Sequence, residues 1–309
     1  MKFTNVTEHI AILGGSGFVG RHLVRRFLAK GHSVTVLTRQ TPEMLKGYLA
    51  PAMVRQVAND SDRQLVQALS GASVLINLAG ILHESHGQYF EEVHAELPAR
   101  LVRACSAAGV RQYLHMSALR ADMANPPSAY LQSKAHGEQA ACTALGDLTV
   151  ALFRPSIIFG DGDNFFGQFA QILRWMPVFP LVCPNSRFSP VWVGDVVSAF
   201  LAVIGRSAKA GSCEAFELCG PNTYSFRELI DFTVTALGRR RLIIGVPDWA
   251  ARLQGRTLQH LPRPLFTLDN YHSLQADSVC ECNDLERLDI KPAALEAIMT
   301  PLLAKTRSG

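Results

Sequence analysis

The sequence predicts an α/β protein: a doubly wound parallel sheet with helices on both faces and a smaller C-terminal lobe. Three observations carry this expectation. Short apolar runs alternate with amphipathic stretches of helical length through the first half of the chain. A glycine-rich turn joins the first apolar run to the first helical stretch. The alternation loosens after about residue 155, where glycine, aspartate and phenylalanine become frequent.

The elements follow in order. "HIAIL" is a short apolar run that ends at glycines. "FVGRHLVRRFLAK" has helical periodicity and stops at Gly31, a residue suited to a helix C-terminus. "SVTVLT" is β-branched and reads as a strand. Asp60 or Ser61 caps the helix "DRQLVQALS", and "SVLINLA" is the next buried strand. "YFEEVHAELPARLVRACSAAG" has a helical pattern but contains Pro98, so a kink or a helix start is expected there. "VRQYLHMS" reads as a strand, "AYLQSKAHGEQAACTAL" as a helix and "LTVALFRPS" as a further strand. Buried strands separated by helices pair in parallel, and ligands then bind beyond their carboxyl ends. Residues 1–155 with 188–220 are expected to form the sheet domain. Residues 156–187 with 221–309 are expected to form the smaller lobe.

Composition narrows the function. The 309 residues are 48% hydrophobic, enough for a sizeable core, and 18% charged, which argues against disorder. A net charge of +4 without a dense basic stripe argues against nucleic acid as a partner. Arg239, Arg240 and Arg241 are read as a helix C-terminus and loop, with an anion or a membrane surface as the alternative. The seven cysteines are dispersed and odd in number, the pattern of free or buried thiols in a reducing compartment. His83 and His86 have no ligand cluster beside them; no metal is expected, and they are read as flanking a pocket. No signal peptide or membrane-spanning run is apparent, so a cytoplasmic protein is expected, one compatible with peripheral membrane contact.

The glycine turn is "ILGGSGFVG", with Gly14, Gly15, Gly17 and Gly20 around Ser16, Phe18 and Val19. Its glycines permit a tight turn and close backbone approach to a pyrophosphate, and the following helix offers its amino end to the anion. This is the Rossmann-type arrangement. At the end of the second strand, where NAD binding favours an acid, stand Thr38 and Arg39. A guanidinium there pairs with a 2′-phosphate, which favours NADP(H) over NAD(H). Asp60 either accepts from the adenine amino group or caps the next helix. In "NLAG", Leu78, Ala79 and Gly80 allow close passage of the cofactor.

"GGSGFVG", "NLAG", "HMSA", "YLQSK", "RPSIIFG" and "PVWVGDVVSAF" together resemble the extended or atypical branch of the short-chain dehydrogenase/reductase superfamily, over nearly the whole chain. "VHAELPARLVRAC", "FELCGPNTYSFRELI" and "LFTLDNY" are similar to bacterial relatives of the short-chain-like accessory subunit of mitochondrial respiratory complex I. The resemblance implies an active site of Ser117, Tyr130 and Lys134, with Tyr130 thirteen positions after Ser117 and Lys134 one helical turn further on. A lysine cation beside the tyrosine, together with the positively charged nicotinamide, is expected to lower the phenol's pKa and let it exchange a proton near neutral pH. Lys134 would also hold the nicotinamide ribose, and Ser117 the substrate oxygen. Pro155, Ser156 and Ile157 would pass the nicotinamide carboxamide, or form a purely structural turn. Where many members place an asparagine, His94 stands; a histidine there either relays protons or packs beside Pro98.

Two functions remain. One is an NADP(H)-dependent oxidoreductase, or an epimerase/dehydratase-like enzyme, acting on a small carbonyl, alcohol or quinone-like substrate. Its pocket would be walled by Phe165, Phe166, Trp175, Phe179 and Trp192, although core packing equally explains these aromatics. The other is a nucleotide-holding subunit or assembly factor associated with a respiratory complex. A nucleotide-sugar epimerase fits less well, because only Arg187 suggests itself for a diphosphate. The oligomeric state is open.

Overall fold

The computed structural model describes residues 7–40, 52–57, 61–85, 87–143, 146–204, 206, 209–258 and 266–305. Asp60 and His86 lie outside them. The central sheet has seven parallel strands: β1 (His9–Leu13), β2 (Ser33–Thr38), β3 (Met53–Gln56), β4 (Val74–Asn77), β5 (Gln112–Met116), β6 (Thr149–Pro155) and, after four short strands described below, β11 (Cys213–Leu218). Their order is β11-β6-β5-β4-β1-β2-β3. The chain runs outward from β1 through β2 to β3 and then returns to β4 on the other side of β1. This reversal opens a crevice beyond the carboxyl ends of β1 and β4.

Strand alternation assigns the two faces. Ile10 and Ile12 point to one face, where α1 (Phe18–Ala29) supplies Leu23, Val24 and Phe27 and α6 (Val193–Val203) supplies Val196 and Phe200. Ala11 and Leu13 point to the other, against α2 (Asp62–Ala68), α3 (Leu97–Ala108) and α4 (Ala129–Thr143). Each large side chain buried in these layers contributes roughly 1.5–3 kcal/mol. Ser61, not Asp60, is the N-cap of α2. The expected irregularity near Pro98 is a π-helix, Glu92–Glu96, which runs straight into α3.

A third apolar cluster joins α5 (Phe165–Trp175), α7 (Phe226–Ala236) and α11 (Leu295–Lys305). Around it lie four two-residue strands, β7 (Ile158–Phe159), β9 (Arg187–Phe188), β10 (Val191–Trp192) and β12 (Tyr224–Ser225). A separate pair, β8 (Val178–Leu181) and β13 (Leu242–Gly245), runs parallel. Beyond it are α8 (Asp248–Leu258) and α9 (Leu268–Ser273), followed by α10 (Asp284–Arg287).

The cysteines depart from expectation. Cys142 pairs with Cys213, and Cys219 with Cys280, while Cys105, Cys183 and Cys282 are free. The partners are 71 and 61 residues apart in sequence, so only the fold brings them together. Among the described residues no group of three or more His, Cys, Asp or Glu could hold a metal ion. No helix among them is long and apolar enough to cross a membrane.

Candidate active site

Gly14 has φ +82°, which favours glycine, and it closes the turn by accepting from the Gly17 amide at 3.0 Å. A Cβ at Gly14 would lie 3.1–3.3 Å from Leu78 and Ala79. A Cβ at Gly20 would lie 2.3 Å from the Gly14 carbonyl and 2.6 Å from Gly15 Cα. The turn, the start of α1 and the end of β4 therefore meet in a space that side chains would fill. The first turn of α1 carries no acidic residue and no side-chain cap, which leaves its amide groups for an anion. Ser16, Phe18 and Val19 are only partly buried along this edge. These features fit a dinucleotide pyrophosphate.

Thr38 is buried, and its hydroxyl accepts from the Gln40 amide. Arg39 is exposed, and both its terminal nitrogens donate to the Gln88 amide oxygen, at 2.6 and 2.8 Å, when that amide is oriented by its hydrogen bonds. The guanidinium thus stands at the rim between β2 and the loop after β4.

Ser117 follows β5, and its position two residues after His115 aims it toward α4. Its hydroxyl is buried and, among the described residues, finds no hydrogen-bond partner. A buried hydroxyl without a partner is a cost that a bound oxygen would relieve. Lys134 is buried and donates to the Met116 carbonyl at 3.2 Å, beside Ser117, with Nζ 6.0 Å from the Tyr130 ring centre. Gly80 completes the convergence: a Cβ there would lie 3.2 Å from Lys134 Nζ and 3.6 Å from His94 Nε2.

Burial sets the charge states of both groups. With Asp269 adding to it, burial pushes the Tyr130 phenol up to about 12. Burial also draws Lys134 down to about 8, against the opposing pull of Glu138. Lysine can lower a phenol's pKa only when it is itself charged, and desolvation here penalises both charged forms. At neutral pH the Tyr130 phenol keeps its proton.

His94 does more than pack. Its Nε2 accepts from the Ile81 amide at 3.0 Å, and its Nδ1 lies 2.9 Å from Ser133 Oγ, which donates to the Tyr130 carbonyl. An acceptor at Nε2 places the single proton on Nδ1. Burial, then the charge of Lys134, then His115, holds its pKa at about 2. It therefore stays neutral and ties the loop after β4 to α4. Gly137 permits this contact, since a Cβ there would overlap the His94 carbonyl.

Three supports went unread in the sequence, and of these only Ser128, immediately before α4, carried a local signal. Asp269 of α9 accepts from the Ala129 and Tyr130 amides at 2.7 and 3.3 Å, capping α4 from 139 residues away. Ser128 caps the same helix locally. Glu138 grips Arg154 with two bonds of 2.9 and 2.6 Å, and Arg154 also holds Asp122 at 2.7 Å. Arg154 thereby locks α4 to β6.

Residues 155–157 are engaged by the protein itself. Pro155 accepts from the Leu119 amide, Ser156 donates to the Ser278 carbonyl, and Ile157 accepts from the Val191 amide. Of the expected pocket aromatics, Phe166 is fully buried core and Phe165, Phe179 and Trp192 pack against that core, whereas Trp175 is 86% exposed. Trp175 is therefore no pocket wall. A cavity of about 280 Å³ beside Gln112 and Thr149 lies at the amino ends of β5 and β6, the far end of the sheet from Tyr130.

A glycine turn at the crevice of a doubly wound sheet, packed on the end of β4 where Gly80 meets Lys134, defines a dinucleotide-type α/β protein. The chain belongs to the NAD-dependent epimerase/dehydratase family, whose model matches residues 10–219. It is 29% identical over 308 residues to the mitochondrial NADH dehydrogenase [ubiquinone] 1 alpha subcomplex subunit 9 of Rattus norvegicus, covering 96% of this chain and 80% of that one. It is 29% identical over 249 residues to a ceramide reductase of Caulobacter vibrioides, covering 79% and 75%. The NADPH-dependent quinone oxidoreductase QOR2 of Escherichia coli, solved with NADPH, shares the fold with a TM-score of 0.72, at 20% identity over 97% of this chain and 98% of that one.

Proposed function

We propose that this protein is an NADP(H)-dependent oxidoreductase acting on a carbonyl–alcohol pair in an apolar, quinone- or lipid-like substrate. The observation that carries the reading is the buried, unpartnered Ser117 hydroxyl, next in the chain to the Met116 carbonyl that Lys134 holds, with Lys134 Nζ 6.0 Å from the Tyr130 ring. The backbone of Gly14–Gly20 with Leu78, Ala79 and Gly80 would hold the dinucleotide, and Arg39 its 2′-phosphate. When bound, the nicotinamide supplies or takes up the hydride. Ser117 donates a hydrogen bond to the substrate oxygen and stabilises charge developing there. Tyr130, protonated at neutral pH, gives its proton to that oxygen during reduction and recovers one from solvent. Lys134 stabilises the transient phenolate. The substrate side is assigned to residues 156–187 with 221–309, and the relatives named above favour an apolar substrate.

The test is Tyr130→Phe. The variant is expected to keep its affinity for NADPH, measured by calorimetry, and to lose turnover by about 100-fold or more on quinone, ketone and long-chain amide-ketone substrates. Undiminished turnover would overturn the mechanism. A second reading rests on the likeness to the complex I subunit: a dinucleotide-holding subunit or assembly factor of a respiratory complex. It predicts that the same variant fully supports assembly in cells and that no substrate is turned over by the unaltered chain.

A further inference from the structure

Large apolar side chains are exposed unevenly. Eleven stand out among the described residues, and seven of them fall in two short stretches: Trp175, Met176 and Val178, then Leu242, Ile244, Trp249 and Leu253. The fold places the two stretches side by side. β8 and β13 pair in register, with Val178 opposite Leu242 and the exposed Pro180 opposite Ile244. Arg241 fastens the end of α5 to this pair by donating to the Leu173 and Arg174 carbonyls, at 2.6 and 2.8 Å. That brings Trp175 and Met176 to one end of the small sheet. At the other end both strands run on into Val182 and Val246, which pack with Ala251 of α8.

α8 continues the pattern. Ala251 and Gly255 are buried, and Gly255 lies close against Leu268. Trp249, Arg252, Leu253 and Arg256 are exposed at positions i, i+3, i+4 and i+7, one stripe of the helix. Trp249 is 72% exposed.

The charge is as uneven as the apolar surface. Residues 239–258 hold five arginines, Arg239, Arg240, Arg241, Arg252 and Arg256, and one acid, Asp248. Five minus one is +4, the net charge of the whole chain. Protein–protein interfaces too are enriched in tryptophan, methionine and arginine. A charge of +4 concentrated beside exposed tryptophans and aliphatics is the chemistry of an element that lies on an anionic bilayer.

We propose that the face formed by the end of α5, the β8–β13 pair and α8 docks on an anionic lipid bilayer. Trp175, Trp249, Leu242, Ile244 and Leu253 enter the headgroup–acyl boundary, and the exposed Arg239, Arg240, Arg252 and Arg256 meet lipid phosphates. None of these residues takes part in the dinucleotide site, so the docking stands or falls independently of the proposed reaction.

The experiment uses the full chain and sedimentation with vesicles of phosphatidylcholine alone or with about a third phosphatidylglycerol. Binding is expected to the anionic vesicles, with weakening as salt rises from about 0.05 M to about 0.5 M. Quenching of tryptophan fluorescence by bromine-labelled acyl chains is expected alongside. Arg239→Gln with Arg240→Gln should weaken binding about 25-fold, fivefold for each charge. Trp175→Ser with Trp249→Ser should abolish the quenching while leaving the melting curve unchanged, because both rings are exposed. No binding to anionic vesicles, or binding indifferent to both double variants, would overturn the proposal. It would equally be overturned by a dimer in light scattering that the tryptophan variant dissolves, since the face would then belong to a second copy.

Discussion

Glu138→Gln tests how the catalytic helix is held. The Glu138 and Arg154 side chains are 8% and 14% exposed, and the carboxylate accepts two guanidinium bonds. The substitution keeps the shape and removes the charge, leaving Arg154 the half-exposed Asp122 and the charge of Glu217. Breaking a buried pair costs roughly 3–5 kcal/mol, and the surviving Asp122 contact puts this case near 3. With an unfolding entropy of about 2.1 cal/mol/K per residue, the melting temperature should fall by about 5 °C. Urea denaturation followed by circular dichroism measures the stability, with Glu91→Gln as the control. Glu91 pairs with His136 where both side chains are 56% exposed, so its loss should cost under about 1 kcal/mol. A second comparison is Glu138→Leu with Arg154→Met, which should recover most of the loss because no buried charge is left unpaired. If Glu138→Gln costs less than about 1 kcal/mol, or no more than Glu91→Gln, the grip of Arg154 is not what holds α4 to the sheet.

Other outcomes follow from the site. Tyr130 has a folded pKa of about 12 against 10.0 for a free phenol, so its folded form keeps the proton longer. Stability should therefore be lost as pH rises from about 10 to 12, a loss that Tyr130→Phe removes in a pH series of melts. Lys134 is depressed from 10.5 to about 8, so its charged form is penalised below pH 8; Lys134→Met should raise the melting temperature at pH 7 while abolishing turnover. Asp269→Asn keeps an oxygen for the α4 cap but removes the charge beside Tyr130, and should lower the phenol's pKa in ultraviolet difference titration against Tyr130→Phe. Gly20→Ala drives a methyl into the Gly14 carbonyl and should weaken NADPH binding about 100-fold, or about 2.7 kcal/mol, by calorimetry. Unreduced, unfolded protein should show three reactive thiols, Cys105, Cys183 and Cys282; a count of seven would refute both disulfides.

Local chemistry determined much of this protein. Strand and helix periods are set by neighbouring residues, so the alternation behind the seven-stranded sheet was legible, as was the glycine turn whose spacing a tight turn requires. The pairing of Tyr130 with Lys134 follows from helical geometry, and Pro98 marked the irregularity that became a π-helix. What tertiary structure alone decided depends on contacts between distant segments. Asp269 reaches Tyr130 of α4 across 139 residues, and the cysteine partners lie 61 and 71 residues apart, distances over which a sequence carries no local pattern. The protonation of Tyr130 belongs with these: a pKa reflects burial and surrounding charge, and the burial of Lys134 and approach of Asp269 exist only once the chain has folded. Trp175 makes the point at the surface, since an aromatic side chain reads alike in the sequence whether the fold turns it inward to a pocket or outward.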